Sequence, residues 1–367
     1  MGVSVIDNAA GKRVAVLYQA LPPPVIAGVR KAPKPGGYSD SGADIAFNLR
    51  RAGFQVLTPN SRPDTGVPLD WVFPDTDDGL RAARDAGADI LWANTVLFTG
   101  HPIEPYLADA WIVGQTPGCQ EAVDDKFATN RMLLAAGLPV VPSVLVAKRE
   151  TAGAATLAQL SSSFLDRRGL AFPLVVKPVR GRGSQGVSRV SDLDALQKAA
   201  ASLLESGQYG DQLMVEAFLD GEEVTVTVLP GARVAGGDCP RPLALPPVRR
   251  FHHDDGIAPY NGTVAVTNNS AALTAGECAQ APVRAVMDAC VAAFARTGAL
   301  APVRIDCRAD ANGVFQIFDV NAKPNMTGAG RLGRDDQDNL CAIAARAVGW
   351  SYTDLLENML SHAWMKR

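Results

Sequence analysis

A segment in the last third of the chain, residues 303–321, constrains the fold more than any other. Two runs of alternating apolar and polar residues flank Asn312-Gly313, the dipeptide most typical of a two-residue β-hairpin turn. Such a turn pairs Asp306 with Asp319 and Arg304 with Asn321. Because side chains alternate along a strand, these four polar residues share one face, and the other face carries Ile305, Cys307, Phe318 and Val320.

The polar face of this hairpin is a candidate metal site. Two carboxylates that face each other across a strand pair repel by a few tenths to about 1 kcal/mol, so neutralising one of them, as in Asp319→Asn, is expected to relieve strain without metal. Oxygen atoms of Asp306, Asp319 and Asn321, together with phosphate oxygens, form a set of hard ligands that suits Mg²⁺. The alternative is a polar hairpin face that meets only solvent.

The first third of the chain alternates short apolar runs with amphipathic segments. Strands are predicted at 14–18, 54–58 and 89–93, and helices at 41–51 and 78–86. This βαβαβ order predicts a parallel sheet with helices on its faces. Residues 21–40 are too rich in Pro and Gly for regular structure, and a long loop at the end of a strand is either a substrate-binding element or a solvated insertion.

A glycine-rich segment follows the predicted strand at 174–176. Gly181, Gly183 and Gly186 match the GxGxxG spacing of dinucleotide-binding folds, but the residues after them alternate like a strand rather than opening a helix. We therefore predict a β-hairpin whose turn, around Ser184, offers backbone N–H groups to phosphates. Lys177 would add an ammonium group beside them; the alternative is a plain hairpin with a lysine that reaches solvent.

Composition excludes several classes of protein. The chain has 367 residues, 47% hydrophobic and 20% charged, with a net charge of -3, which is typical of a folded soluble protein of two or three units and disfavours a nucleic-acid partner. Six scattered cysteines without a CxxC pair indicate neither a zinc site nor a disulfide framework. No signal peptide or apolar run of bilayer length is evident, so we expect a cytoplasmic protein that does not bind membranes.

The last two-thirds of the chain resembles the ATP-grasp superfamily, and within it the D-alanine–D-alanine ligases. The resemblance rests on four ordered segments: Asp125-Lys126 at the start of a helix, Lys177, residues 215–219, and residues 304–327. It implies that the two lysines contact ATP phosphates, that the backbone of 216–219 binds adenine, and that Glu223 binds ribose. With the glycine-rich turn, the predicted nucleotide-binding residues are Lys126, Lys177, Gly183, Ser184, Gly186, Glu216, Phe218, Leu219 and Glu223.

The same resemblance implies the remaining chemistry and the architecture. Asp306, Asp319 and Asn321 fall on the family's Mg²⁺ ligands, and Arg304 on the arginine that stabilises acyl transfer. The implied fold is α/β: a Rossmann-like substrate-binding domain at 1–115 precedes an ATP-grasp fold with a small lid subdomain at 116–213 and a large catalytic subdomain at 214–367. ATP and Mg²⁺ are the implied cofactors, and a homodimer is the implied assembly.

Departures from the family concern mainly the substrate pockets. The second metal ligand is Asp319 rather than glutamate, and residues 251–256 replace a loop lysine for which Arg249 or Arg250 can substitute. Gly330 stands where the ligases hold the second D-alanine with a serine. No acid clearly matches the glutamate that anchors the first amino group; the nearest are Asp40 and Asp44.

Three residues are therefore candidate substrate contacts: Lys323, Gly330 and Arg331. The alternative for the two cationic members is a solvated basic turn. We expect an ATP-dependent carboxylate–amine ligase that acts through an acyl phosphate and joins amino acids in specialised metabolism. The alternatives are a D-alanine–D-alanine ligase of cell-wall synthesis and a non-catalytic ATP-binding module.

Overall fold

The computed structural model describes residues 2–181, 183–234, 237–253, 255–257 and 266–367. A sheet that we call the N-terminal sheet is built mainly from the first third of the chain. Its strands are Val3–Val5, Arg13–Tyr18, Gln55–Leu57, Phe73–Pro74, Ile90–Asn94, Trp111–Val113 and Trp364–Lys366. The strands that begin at residues 13, 55, 73, 90 and 111 pair in parallel, which confirms the predicted βαβαβ arrangement.

The helices of this unit are Ser39–Arg51 and Asp77–Asp85. Short 3₁₀ turns at Pro35–Tyr38, Pro68–Asp70 and Glu104–Tyr106 shape its loops. The long loop before the first helix contains a small hairpin, Val25–Ile26 paired with Val29–Arg30. No helix in the described ranges is both long and apolar enough to cross a membrane.

The middle sheet is mostly antiparallel and packs on its own apolar cluster. Its strands, in spatial order, are Ala154–Thr156, Ser143–Ala147, Gln212–Ala217, Leu174–Pro178 and Ser188–Val190. Its helices and 3₁₀ turn are Ser162–Asp166, Leu193–Ser206 and Leu157–Gln159. The pairing of Leu174–Pro178 with Ser188–Val190 confirms the glycine-rich hairpin.

The third sheet is antiparallel and includes the hairpin of residues 303–321. Its strands are Ser270–Ala272, Val248–Arg250, Glu223–Leu229, Val303–Ala309 and Phe315–Asn321 in spatial order, with Leu243–Ala244 beside Glu223–Leu229. The helix Ala281–Thr297 packs on one face of this sheet, and its apolar side chains form a core together with those of the strands. Further elements nearby are Ala232–Val234, Gly237–Cys239, Val266–Asn268 and Ala275–Cys278.

Two consecutive helices, Pro117–Val123 and Lys126–Ala135, precede the middle sheet. The break arises because Asp125 adopts an extended backbone and its side chain accepts a hydrogen bond from Ala128 N at 2.8 Å. Asp125 is therefore the N-cap of the second helix. This capping places Lys126 in the first turn, with its side chain directed to the third sheet.

Two features of the packing cross the predicted domain limits. The boundary between 213 and 214 falls inside Gln212–Ala217, a strand whose pairing is with the middle sheet. At the other end of the chain, the helices Leu340–Arg346 and Tyr352–Ser361 pack into the core of the N-terminal sheet, and Trp364–Lys366 joins that sheet as a strand. The chain thus returns to its first unit, which a division by sequence position does not anticipate.

The hairpin of residues 303–321 has the predicted pairing, but a two-residue turn is not the cause. Its loop has three residues rather than two: Asp310 N bonds Val314 O, and Gly313 takes a left-handed backbone with φ 77°. This loop shifts the register by one residue, and a β-bulge at Phe318 shifts it back. Asp306 therefore faces Asp319, and Arg304 faces Asn321.

Candidate active site

A cavity of about 1,020 Å³ lies where the three sheets meet. It collects residues from sequence positions more than 280 apart, such as Lys34 in the first loop and Asn325 after the hairpin. Most of the predicted site residues line it: Lys126, Lys177, Gly183, Ser184, Glu216, Phe218, Leu219, Glu223, Arg304, Asp306, Asp319, Asn321 and Lys323. Gly186, Gly330 and Arg331 do not line it.

One wall of the cavity is the polar face of the hairpin. Asp306 accepts hydrogen bonds from Thr225 Oγ1 at 2.7 Å and from Arg304 Nη2 at 3.2 Å. Asp319 accepts one from Lys126 Nζ at 2.6 Å. Each carboxylate is thus paired with a cation from this chain, and the like-charge repulsion expected from their facing positions is offset.

The electrostatics of this wall favour ionised groups. Burial works against the charge of Asp319, but the ammonium groups of Lys126 and Lys177 outweigh it, and the pKa of Asp319 is lowered. Burial also opposes the charge of Lys126, but Asp319 outweighs it and raises the pKa of that ammonium. The pair is therefore ionised at neutral pH.

The donor set on this wall fits a magnesium ion that is completed by phosphate oxygens. Asp306 and Asp319 offer carboxylate oxygens from directly opposed positions, and Asn321 follows on the same strand. Among the described residues, no group of three or more His, Cys, Asp or Glu side chains is placed to hold a metal. Mg²⁺ characteristically uses one or two protein carboxylates together with substrate phosphates, so this arrangement suits a metal that arrives with a nucleotide.

A buried ion pair occupies another part of the cavity. Lys177 Nζ lies 2.6 Å from Glu216 Oε1 and donates to Phe318 O at 3.0 Å. Phe318 is the extra residue of the bulge, so its carbonyl is released from the strand ladder and is available to the lysine. The bulge also turns Phe318 into the cavity, whereas the sequence predicted it on the opposite face.

Glu216 offers a position for a ligand donor. Its Oε2 is buried and has no hydrogen-bond partner in the protein, and burial raises the pKa of this carboxyl group despite Lys177. A buried acceptor without a donor is costly, and a ligand amino group satisfies it. This observation fits the amino group of an adenine ring.

Phe218 and Glu223 continue this side of the cavity. The ring of Phe218 lies 4.7 and 4.8 Å from the guanidinium carbons of Arg189 and Arg308. Glu223 is bonded to His253 Nε2 at 2.9 Å. The predicted ribose-binding carboxylate is thus held by a histidine from the segment 251–256, in which Asp254 lies outside the described residues.

The residues of the glycine-rich turn occupy two different environments. Gly183 and Ser184 line the cavity with positive φ angles of 60° and 57°. Gly186, with φ 71°, is instead packed behind the turn: a β-carbon there would lie 2.9 Å from Tyr209 and 3.0 Å from Pro178. This close packing requires a glycine, and it places Gly186 behind the turn rather than on the surface of the cavity.

Residues 132–361 match the family model described as D-ala D-ala ligase C-terminus. The chain belongs to this family. A D-alanine–D-alanine ligase from Syntrophotalea carbinolica is 29% identical over 261 residues, which cover 71% of this chain and 73% of that enzyme. The match confirms the resemblance to the ATP-grasp superfamily.

Solved structures show the same fold. A D-alanine–D-alanine ligase from Bacillus anthracis, in complex with ATP, has a TM-score of 0.63 at 20% identity over 95% of both chains. The VanG D-Ala:D-Ser ligase from Enterococcus faecalis has a TM-score of 0.64 at 15% identity, over 95% of this chain and 98% of that one. The chain is an ATP-grasp ligase of the class that forms C–N bonds.

In this ATP-grasp ligase, the substrate candidates near residue 330 have structural roles. Arg331 is 2% exposed and donates to Asp44 Oδ1 at 2.7 Å, and Arg334 donates to both oxygens of the same carboxylate at 2.8 Å. Gly330 has φ 130°, and a β-carbon on it would lie 2.8 Å from the side chain of Asn48. The absence of a side chain at 330 is therefore explained by backbone and packing.

The structure also separates the alternatives that sequence left open. Asp44 is fully buried under its two arginines, whereas Asp40 lines the cavity. Arg249 bonds Glu222 and Glu277 on the outside of the third sheet, whereas Arg250, the next residue on the strand, lines the cavity. Asp40 and Arg250 are thus the cavity-facing member of each pair.

Sequence reasoning missed several residues that line the cavity. Lys31 pairs with Asp124, which also binds Arg180 Nη1 at 3.2 Å, so the first loop is tied to the start of the ATP-grasp fold. Lys34 and Tyr38 lie further along the same loop. The available signal was the length and composition of residues 21–40, which predicted a substrate element without naming its members.

Proposed function

We propose that this ligase uses ATP to join the carboxyl group of D-alanine to the amino group of a second amino acid, with D-alanine as the first choice for both. The observation that supports the proposal best is the cluster of Lys126, Arg304, Asp306 and Asp319 on one cavity wall of a chain in this family. The sequence favoured amino acids other than D-alanine on two grounds, Gly330 and the lack of a clear acid for the first amino group. Gly330 lies outside the cavity, and an acid, Asp40, lines it.

The cluster suits phosphoryl transfer to a carboxylate. That transfer needs positioning and neutralisation of charge rather than covalent catalysis by the protein. Lys126 and Lys177 would bind phosphate oxygens from two sides of the cavity, and Asp306, Asp319 and Asn321 would hold Mg²⁺, which supplies further neutralisation. Lys126 then exchanges its contact with Asp319 for one with phosphate.

Amide formation follows on the same wall. The acyl phosphate is attacked by an amine, and negative charge develops on the carbonyl oxygen. Arg304 is 8% exposed and fixed beside Asp306, so its guanidinium stabilises that charge with little reorganisation. Gly183 and Ser184 line the same cavity, and closure of their turn over bound substrates would exclude water and protect the acyl phosphate from hydrolysis.

Product analysis tests the proposal. The protein is incubated with ATP, Mg²⁺ and D-alanine, and then with D-alanine plus a panel of second amino acids, while phosphate release and product masses are followed. We expect D-alanyl-D-alanine with ADP and phosphate, and a loss of at least 100-fold in turnover for Arg304→Ala. The exposed Arg296→Ala is the control.

Two results would contradict the proposal. Release of AMP and pyrophosphate would exclude the acyl-phosphate route. Efficient ligation of other amino acids, with no product from D-alanine, would restore the prediction of a specialised amino-acid ligase and refute D-alanine as substrate.

A further inference from the structure

The central strand of the third sheet, Glu223–Leu229, runs beside the hairpin strand that carries Arg304 and Asp306. Its register places Thr225 directly opposite Asp306 and Thr227 directly opposite Arg304. Side chains two positions apart share one face of a strand, so both threonines lie on the face of the sheet that carries these two residues. The valines that alternate with them are buried in the apolar core on the other face.

Both oxygens of the Asp306 carboxylate accept hydrogen bonds, from donors of different charge. Thr225 Oγ1 donates to Oδ1 at 2.7 Å, and Arg304 Nη2 donates to Oδ2 at 3.2 Å. A metal cation repels the guanidinium group but not the neutral hydroxyl group. A carboxylate oxygen has enough lone pairs to accept a hydrogen bond and also bind a metal. The contact with Thr225 is therefore the one that can persist when a metal binds.

Thr225 is a rigid support for this carboxylate. Its side chain is buried, and its strand is paired on both sides, with Val248–Arg250 and with Val303–Ala309. The first side-chain torsion of a β-branched residue has few accessible values, so the direction of the hydroxyl group is restricted. Thr225 itself does not line the cavity, whereas Asp306 does. Any effect of Thr225 on a ligand must therefore act through Asp306.

The second predicted metal ligand, Asp319, is held in a different way. It accepts a hydrogen bond from the ammonium group of Lys126 at 2.6 Å. The proposed function requires Lys126 to exchange this contact for one with phosphate, so Asp319 changes its partner when the nucleotide binds. Asp306 can keep its bond to Thr225 throughout. Of the two carboxylates, Asp306 is therefore the one whose direction is set before the metal arrives.

We propose that Thr225 is a positioning residue of the Mg²⁺ site, which fixes the carboxylate of Asp306 in one direction. This inference rests on the proposed function, in which Asp306 binds Mg²⁺, and adds a residue that the sequence did not single out. It also connects the metal to the nucleotide. Glu223, the predicted ribose-binding residue, lies two positions before Thr225 on the same face of the strand. One strand thus carries the ribose contact and the support for a metal ligand.

Metal binding without turnover tests this role. The protein is saturated with a non-hydrolysable ATP analogue and titrated with Mn²⁺, and free Mn²⁺ is measured by electron paramagnetic resonance. Thr225→Val keeps the shape of the side chain and removes the hydroxyl donor. We expect its Mn²⁺ affinity to be about 10–100-fold lower than that of the wild type, the loss typical when a partner of a metal ligand is removed. Its affinity for the analogue in the presence of a chelator should be unchanged.

Matched variants separate the hydrogen bond from packing. Thr225→Ser keeps the hydroxyl group and should retain most of the Mn²⁺ affinity. Thr227→Val changes an equally buried threonine of the same strand that faces Arg304, and it should retain all of the Mn²⁺ affinity. If Thr225→Val does not fold, Thr225→Ala removes the same donor and has the same expected result.

The possible failures are distinguishable from one another. Equal Mn²⁺ affinity of the wild type and Thr225→Val would overturn the role of Thr225 and leave the metal site in place. Equal losses in Thr225→Val and Thr227→Val would assign the effect to packing and would also overturn it. A nucleotide-saturated wild type that binds no Mn²⁺ would refute the Mg²⁺ site together with its support. Because no amino acid is present, an incorrect choice of D-alanine as substrate does not affect these results.

Discussion

Replacing Asp319 by Asn tests how charges are compensated on the catalytic wall, the polar face of the hairpin that carries Asp306 and Asp319. The test uses the protein without nucleotide. Sequence alone predicts that this change relieves repulsion between two facing carboxylates. The structure predicts the opposite, because Lys126 Nζ lies 2.6 Å from Asp319 Oδ1, and Arg304 is 3.2 Å from Asp306. Removing one carboxylate would leave the ammonium of Lys126 in the wall without its closest counter-charge.

The magnitude follows from the burial of the pair. Breaking a fully buried ion pair costs about 3–5 kcal/mol. The two side chains are 19% and 24% exposed, so water recovers part of that cost, and Asn still accepts a hydrogen bond from the lysine. We therefore expect Asp319→Asn to lower the free energy of unfolding by about 2 kcal/mol at pH 7.

The sign of the pH dependence follows from the lowered pKa of Asp319, which Lys126 and Lys177 maintain against burial. A depressed carboxyl pKa contributes stability above the unfolded value of about 4, and this contribution is lost as the pH falls further. The difference between wild type and Asp319→Asn should thus be constant from pH 7 to 5 and shrink below about pH 4.

Urea unfolding without ATP or Mg²⁺ measures both quantities. A loss of about 2 kcal/mol corresponds to a midpoint lower by roughly 0.5–1 M. Asp288→Asn, at an exposed position on the helix Ala281–Thr297, is the matched control and should leave the midpoint unchanged. If Asp319→Asn is as stable as the wild type at pH 7, or more stable, repulsion dominates and the ion-pair reasoning is refuted.

Two further predictions concern residues that the structure separated. Asp44→Asn should lower the free energy of unfolding by about 3–5 kcal/mol in the same denaturant assay, because two arginines lose a fully buried carboxylate partner. Asp40→Asn is the comparison. Its side chain is 60% exposed, so it should change the free energy of unfolding by less than about 1 kcal/mol. Of Arg249 and Arg250, only Arg250 lines the cavity. Arg250→Ala should therefore lower the turnover measured by phosphate release at least tenfold, and Arg249→Ala less than twofold. Equal effects of the two changes would show that Arg250 does not contribute to the site.

Much of the catalytic wall was determined locally by sequence. The alternation of residues 303–321 puts acids and amides on one face, because strand side chains alternate and the other face must be buried. The predicted pairing of Asp306 with Asp319 is correct, but through two compensating features, a three-residue loop and a bulge at Phe318. Neither feature is visible in an apolar pattern, because each depends on backbone geometry rather than on hydrophobicity.

The sequence pattern also determined the parallel N-terminal sheet and the glycine-rich hairpin, whose periodicities and turns are short-range. The return of the last helices and strand to the first sheet could not be predicted in this way, because it is set by the burial of apolar faces from opposite ends of the chain.

Tertiary structure decided which polar residues share the cavity. Lys126 and Asp319 are 193 positions apart, and Asp44 and Arg331 are 287 positions apart. Only the folded structure shows that the first pair belongs to the catalytic wall and that the second is a buried ion pair outside the cavity. Thr225 and Asp306, 81 positions apart, come into contact only when their strands pair. Sequence determines which faces are polar, since that is a local consequence of periodicity; which charges neutralise one another depends on distances that exist only once the separate cores have packed together.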